Sequence, residues 1–203
     1  ALQSQINPHF LYNTLDSIIW MAEGRKYEEV VLMTASLARL LRQSISNEDE
    51  VVPLAREVEY AKGYLTIQKM RYKDKLEFEI DVEPSILNIP LIKLVLQPII
   101  ENAIYHGLKY KESKGLLQVK GFMKDGNAVL QVIDNGVGMD EETLSHIYDK
   151  HKVNYHSNGV GVYNVQKRLK LYYGENYGIT YESEKGVGTT ATIIIPGIQE
   201  ESI

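Results

Sequence analysis

Asn102 and His106 stand four residues apart in the run Gln97-Pro98-Ile99-Ile100-Glu101-Asn102-Ala103-Ile104-Tyr105-His106-Gly107. On a helix that spacing stacks both on one face. An amide oxygen is a hard ligand suited to Mg²⁺, and an imidazole one turn away can donate to a phosphate. Read alone, the run is equally an ordinary buried helix with a polar edge. Asp134 follows an apolar strand and opens Asp134-Asn135-Gly136-Val137-Gly138-Met139. An ionised carboxylate only accepts hydrogen bonds, so it matches the exocyclic amino group of adenine and rejects the carbonyl of guanine. Gly136 and Gly138 let backbone approach a flat base; a glycine turn closing a strand is the plainer alternative. Gly159, Gly161 and Asn164 open a helical segment that continues to Arg168. Glycines there present free N–H groups and a helix dipole to phosphate, although the third glycine of a dinucleotide fingerprint is missing. The fourth segment, Gly186-Val187-Gly188-Thr189, would also serve as a simple hairpin turn.

A nucleophile stands far upstream. Gln5-Ile6-Asn7-Pro8-His9-Phe10-Leu11-Tyr12-Asn13 sets His9 and Asn13 one turn apart, and Pro8 removes a backbone N–H just before His9. Neutral imidazole is a competent nucleophile near pH 7 and can form a covalent phospho-intermediate. A lone helical histidine is ordinarily structural or solvated, so the neighbours must carry the reading. His146, His151 and His156 do not read as a metal site, because steps of five rotate about 140° on a helix. Lys109, Lys111 and Lys114 read as a solvated cluster, and the tyrosines at 163, 172, 173, 177 and 181 as core and sheet residues.

These residues need elements to hold them. Leu2, Ile6 and Phe10, then Leu11, Leu15, Ile18 and Ala22, mark one helix with a stop at Gly24 in a left-handed cap. Val30, Met33, Leu37, Leu40, Leu41 and Ile45 mark a second, so the two form an antiparallel hairpin. Such a hairpin buries little by itself, and a homodimeric four-helix bundle is the simplest completion. Residues 46–52 form a polar break, Pro53 suits the first turn of a third helix, and that helix reaches about Tyr72. From Lys75 the period becomes two: Leu76, Phe78, Ile80 and Val82 alternate with acids in a half-buried strand. Residues 90–106 read as an apolar helix kinked at Pro98 and ended by Gly107. Strands over 116–123 and 128–133 flank a turn at Asp125-Gly126-Asn127. A helix over 161–173 and strands near 178–184 and 189–195 complete a sheet with its helices on one face.

The chain has 203 residues, 44% of them apolar and 24% charged, which makes it globular and able to bury a core. With 22 Lys and Arg against 27 Asp and Glu the net charge is −5, a poor balance for nucleic-acid binding. There is no cysteine, which removes disulfides and thiolate metal sites and fits a reducing compartment. No apolar run reaches the roughly 18 residues of a membrane span, so no membrane contact is expected of this segment itself. A first residue other than Met, set directly in helix-like sequence, suggests a piece of a longer protein.

In this order and spacing, the four glycine- and asparagine-bearing segments resemble the ATP-binding domain of the GHKL superfamily, which includes histidine kinases, gyrase, Hsp90 and MutL, over about residues 88–196. The segment around His9, with Arg71-Tyr72 closing the third helix, resembles the phosphoacceptor region of LytS/YesM-type sensor histidine kinases. The resemblance implies an α+β chain: a dimerising helical hairpin with histidine phosphotransfer helices over 1–73, then a Bergerat/GHKL α/β sandwich with a mixed sheet over 74–203. It implies that ATP and Mg²⁺ bind, with Asn102 on the metal, Asp134 on the adenine amino group, and His106 and the 159–164 amides facing phosphates. Residues 140–158 would form a lid, and the 186–189 turn with Thr189 would shape the adenine end. His9 would receive phosphate from ATP and pass it to an aspartate of a response-regulator receiver domain. Phe10 stands where the commoner histidine kinases carry an acid, which leaves Glu101 as candidate proton acceptor and Asn13 as candidate to orient a water in dephosphorylation. The setting implied is the cytoplasmic part of a membrane-anchored bacterial sensor. Two rivals are an ATP-driven clamp without a nucleophilic histidine and a module that binds ATP only to set its conformation.

Overall fold

The computed structural model describes residues 8–45, 50–148 and 159–197. Three helices come first: α1 (Pro8–Glu23), α2 (Tyr27–Ile45) and α3 (Leu54–Tyr72). The expected hairpin is there, with a correction at its turn. The left-handed residue is Arg25, with φ 56°, rather than Gly24. Lys26 N–H donates to the Met21 carbonyl at 2.9 Å and Arg25 N–H to that of Ala22 at 3.0 Å, the paired bonds of a Schellman end. Gly24 serves by being small, since a Cβ there would lie 3.3 Å from the Trp20 carbonyl oxygen.

α3 buries Leu54, Ala61, Tyr64, Leu65 and Ile67, and carries two polar residues in the same buried set, Glu57 and Gln68. Phe10 of α1 meets Tyr64 at 4.8 Å between ring centroids, so the hairpin rests on α3. On its outer side the hairpin leaves Leu15, Ile19, Trp20, Val31 and Leu32 exposed. Leu15 was expected in the buried stripe. It lies instead on the outward face. Leu2 and Ile6 lie outside the described residues.

Two short strands escape the sequence reading. β1 (Val51–Pro53) and β3 (Pro90–Ile92) pair antiparallel, with Val52 opposite Leu91. Pro53 therefore closes β1 and stands at the N-cap of α3, not in its first turn. The helix expected over 90–106 is divided: β3 first, then α4 (Leu96–Asn102), then a π-helical turn over Ala103–Leu108. An unbroken apolar run carries no period to separate strand from helix, which is why the boundary was invisible. Pro98 falls in the first turn of α4, where a missing N–H costs no helical bond, so the expected kink does not arise. The helical segment also continues through Gly107 to Leu108.

The main sheet has the order β2–β4–β5–β7–β6, built from β2 (Leu76–Val82), β4 (Gly115–Lys124), β5 (Asn127–Asp134), β6 (Gly178–Glu184) and β7 (Gly188–Pro196). β2 runs parallel to β4 and every other pair is antiparallel, so the sheet is mixed as expected. The β4–β5 hairpin turns on Asp125 (φ 50°) and Gly126 (φ 77°), the two left-handed residues of a type I′ turn. One face of the sheet, with Leu117, Val119, Leu130, Val132 and Ile193, is buried against Ile99, Ile100 and Ile104 of the α4 segment and Val165 and Leu169 of α6 (Gly159–Tyr173). The other face is mixed, with Leu116, Val129 and Ile133 among polar residues, and there Gln131 donates to Thr192 at 3.2 Å and Gln118 to Glu79 at 2.7 Å. The result is a two-layer α/β sandwich following a helical region, with one continuous core from Phe10 to Ile195.

Candidate functional site

Asp134 ends β5 with its side chain on the buried face, opposite Thr189 of β7. It is 6% exposed and accepts a bond from Gly136 N–H at 2.8 Å. Burial pushes its carboxyl up to about 6, against the opposing pull of the Gly136 and Thr189 N–H groups and of the Lys111 charge. A carboxylate this desolvated is held ready for a donor that can replace water.

Backbone crowding shapes the walls around it. Gly107 passes under the carboxylate so closely that a Cβ there would stand 2.7 Å from Asp134 Oδ1. A Cβ on Gly136 would collide with the Gly107 backbone, and Val137 N–H donates to the Gly107 carbonyl at 3.0 Å. Gly138 has φ 63°, and a Cβ on it would strike the Glu184 carbonyl. Gly186 N–H in turn reaches the Val137 carbonyl at 2.7 Å, so the 134–139 loop is locked onto the β6–β7 turn.

These segments enclose a cavity of about 590 Å³ between the sheet and the α4 segment. Asn102, His106, Asp134, Gly138 and Thr189 all line it. Asn102 Oδ1 is buried with no hydrogen-bond partner among the described residues. An amide oxygen left in that state is the donor a hard cation asks for. His106 is half-buried, and burial together with the Lys109 charge holds its imidazole below its ordinary range, so it is neutral at pH 7. Asp140 caps α5 (Glu141–Ser145) through Thr143 N–H at 2.9 Å, and α5 turns Glu142 and Thr143 into the cavity. Residues 149–158 of the expected lid, with His151 and His156, lie outside the described residues.

The remaining predicted residues divide. Gly136 shapes the wall through Gly107 without lining the cavity. Gly159 opens α6, and Val162 of that helix lines the cavity, but Gly161 lies against Pro98, with 3.3 Å from its would-be Cβ to the proline Cβ. Asn164 is exposed. Arg168 is turned away from the cavity: its Nη2 donates to the Lys93 carbonyl at 2.9 Å, near the buried Glu57. Lys111 is tied to the Asn135 carbonyl at 2.5 Å and Lys114 to Glu77 at 3.1 Å, so neither is simply solvated.

Three positions went unnoticed in the sequence. Gly107 read as a helix stop, and its close approach to Asp134 is a long-range fact. Tyr181 read as a sheet residue, yet it lines the cavity. Glu57 drew no reading at all, yet its carboxylate accepts the N–H groups of Leu94, Val95 and Leu96 at 2.8 to 3.0 Å and so caps α4 from another helix.

The second predicted centre is on α1. His9 is exposed, and Asn13 Nδ2 lies 3.0 and 3.2 Å from its two ring nitrogens. The His9 ring stands 6.3 Å from that of Tyr105, whose neighbour His106 lines the cavity. Glu101 does not line the cavity. It accepts from Gln97 at 2.9 Å, sits beside Tyr64 and Tyr105, and is raised above the usual carboxylate range by burial.

Known proteins match this architecture along most of the chain. The family model described as Histidine kinase matches residues 1–76. The one described as Histidine kinase-, DNA gyrase B-, and HSP90-like ATPase matches residues 88–199. The chain is 36% identical over 196 residues to the sensor histidine kinase YesM of Bacillus subtilis (strain 168), covering 97% of this chain and 33% of that protein. It is 34% identical over 180 residues to the sensor protein LytS of Oceanobacillus iheyensis, covering 86% and 30%. The histidine kinase domain from the Erythrobacter litoralis EL346 blue-light activated histidine kinase superposes with a TM-score of 0.53 at 15% identity, covering 86% of this chain and 82% of that one. That likeness concerns the fold, which is the Bergerat-type sandwich expected. The chain spans about a third of the length of the curated relatives it matches.

Proposed function

This chain belongs to the histidine kinase-, gyrase- and HSP90-like ATPases, within the sensor histidine kinases represented by YesM and LytS, and from that premise we propose that it phosphorylates its own His9 from ATP and hands the phosphate to a response-regulator aspartate. We divide it at residue 73: residues 1–73 dimerise and carry His9, and residues 74–203 hold the nucleotide. The observation that carries the reading is the packing of His9 against Tyr105, on the same turn that puts His106 into the cavity wall.

In this reading Asp134 accepts the adenine amino group on the cavity floor, beside Thr189. Neutral His106 donates to a phosphate oxygen, and the α6 N–H groups at Gly159–Gly161 face the same triphosphate. Asn102, whose Oδ1 has no partner among the described residues, is the residue that would hold Mg²⁺, which when bound neutralises the charge developing on the transferred group. One ring nitrogen of His9 attacks the γ-phosphorus. A P–N bond forms as the bond to the β,γ-bridging oxygen breaks and ADP leaves. The proton on the other ring nitrogen passes to a carboxylate, and Glu101, with its raised proton affinity beside Tyr105, is the acceptor we assign. Asn13 holds the His9 ring, and we assign it to orient a water when the phosphate is removed. The protein acts as a homodimer, for which the exposed Ile19, Trp20 and Val31 of the hairpin are the support. We assign it to the cytoplasmic part of a membrane-anchored sensor; no described helix is long and apolar enough to cross a membrane.

Incubation with γ-labelled ATP and Mg²⁺ tests this. Wild type is expected to take up acid-labile, base-stable label, and His9→Ala none. Glu101→Gln is expected to bind ATP normally and to slow labelling by about tenfold or more. ATP turnover without label would instead identify a clamp, and neither turnover nor label a module that only binds.

A further inference from the structure

Three register partners floor the cavity on one rung of the sheet. Val132 of β5 faces Ala191 of β7, and Ala191 faces Tyr181 of β6. Two residues along, on the same face, Asp134 faces Thr189. Ala191 is small, so the space above it is open to Asp134 on one side and to Tyr181 on the other. All five residues line the cavity.

The Tyr181 hydroxyl is buried and has no hydrogen-bond partner among the described residues. Its nearest aromatic neighbour, Tyr148, packs edge-on with ring centroids 6.1 Å apart, and the Tyr148 proton is committed to the Ile179 carbonyl at 2.6 Å. Burying a hydroxyl unpaired is unfavourable, and a phenyl ring would fill the same space without that penalty. Desolvation, then Tyr148 and Asp134, hold the phenol far above its ordinary range, so it is a donor at any working pH.

A carboxylate that only accepts thus borders one hollow with a phenol able to donate. Adenine carries the complementary pattern on one edge, an amino group flanked by the ring nitrogens N1 and N7, both acceptors. Guanine offers a carbonyl in place of the amino group and an N–H in place of N1. We propose that Tyr181 reads the base: its hydroxyl donates to a ring nitrogen flanking the adenine amino group that Asp134 accepts. The proposal rests on the nucleotide reading of this cavity and adds a second base-recognising residue to it.

Calorimetric titration of wild type and Tyr181→Phe with ATP, 1-deaza-ATP and 7-deaza-ATP tests it, with Asp134→Asn as the control for the cavity itself. Tyr181→Phe keeps the ring, so nucleotide-free protein should melt at the same temperature as wild type or higher. Its ATP affinity should fall about 5- to 10-fold. In wild type one of the two deaza analogues should show the same loss, and toward that analogue wild type and variant should bind alike. The proposal is overturned if both deaza analogues bind wild type as tightly as ATP, or if Tyr181→Phe binds ATP unchanged while Asp134→Asn loses it. A wild type that binds no adenine nucleotide overturns the nucleotide reading and this proposal together.

Discussion

At the scale of single residues, Asp134 sets two opposing pH dependences. Its carboxyl lies at about 6 in the nucleotide-free fold, above its ordinary 3.8, because burial penalises the charge. Such a group contributes stability that is fully present below the unfolded value and is lost as pH rises through 6, on the order of 3 kcal/mol at most. Adenine, by contrast, needs the ionised acceptor. We therefore expect ATP affinity to fall as pH drops below about 6 in wild type and to lack that step in Asp134→Asn, measured by titration against the same nucleotide so that its own ionisation cancels. We also expect the melting temperature of Asp134→Asn relative to wild type to rise between pH 5 and 7.5. Parallel profiles for the two proteins would remove Asp134 from the role.

At the scale of elements, a helix with no cap of its own is capped by another helix. Val95 offers α4 no side-chain hydrogen bond, and Leu94 just before it sits at φ 62°, a left-handed conformation that costs a leucine energy. Glu57 of α3 meets that cost by accepting three backbone N–H groups at once. Desolvation still raises its proton affinity, opposed by those three bonds and by the Arg168 charge. Since α4 ends at Asn102, the cap fixes the axial position of a cavity residue from the helix that supports the hairpin. Glu57→Gln keeps one oxygen but presents an amide donor to N–H groups. It should cost about 2–4 kcal/mol in urea unfolding and weaken ATP binding together with it. An unfolding midpoint equal to that of wild type would mean the three bonds are incidental.

At the scale of the molecule, the hairpin is half-covered. Phe10, Met33, Leu37 and Leu40 are buried inside the protomer, whereas Trp20 is 78% and Val31 69% exposed. Apolar side chains of that size on adjacent helices favour burial against a second copy, which completes four helices. Sedimentation should find wild type dimeric and Ile19→Asp shifted to monomer, with an unchanged helical signal because Ile19 is exposed and stands outside the core formed by the described residues. A monomeric wild type at micromolar concentration would rule out this face as a self-association surface.

What was readable in the sequence was local. The period-two strands β2, β4 and β5, the Asp125-Gly126 turn, α3 and α6 are each set by neighbours within a few residues, and each lies within a residue or two of its expected place. Asn102, His106, Asp134, Gly138 and Thr189, which line the cavity, were also legible, through the joint order and spacing of their segments, since each segment alone fits a plain helix or turn. Tertiary structure decided the rest. An apolar run cannot say where strand β3 ends and α4 begins; pairing with β1 does. The reach of Arg168 to Lys93, the exposure of Asn164, the cap from Glu57 and the Tyr181 hydroxyl, which has no partner among the described residues, depend on partners 37 to 75 residues away or on a shared cavity floor. No local pattern encodes such a partner, since a side chain's role there is fixed by which backbone and which neighbours the closed sheet brings beside it.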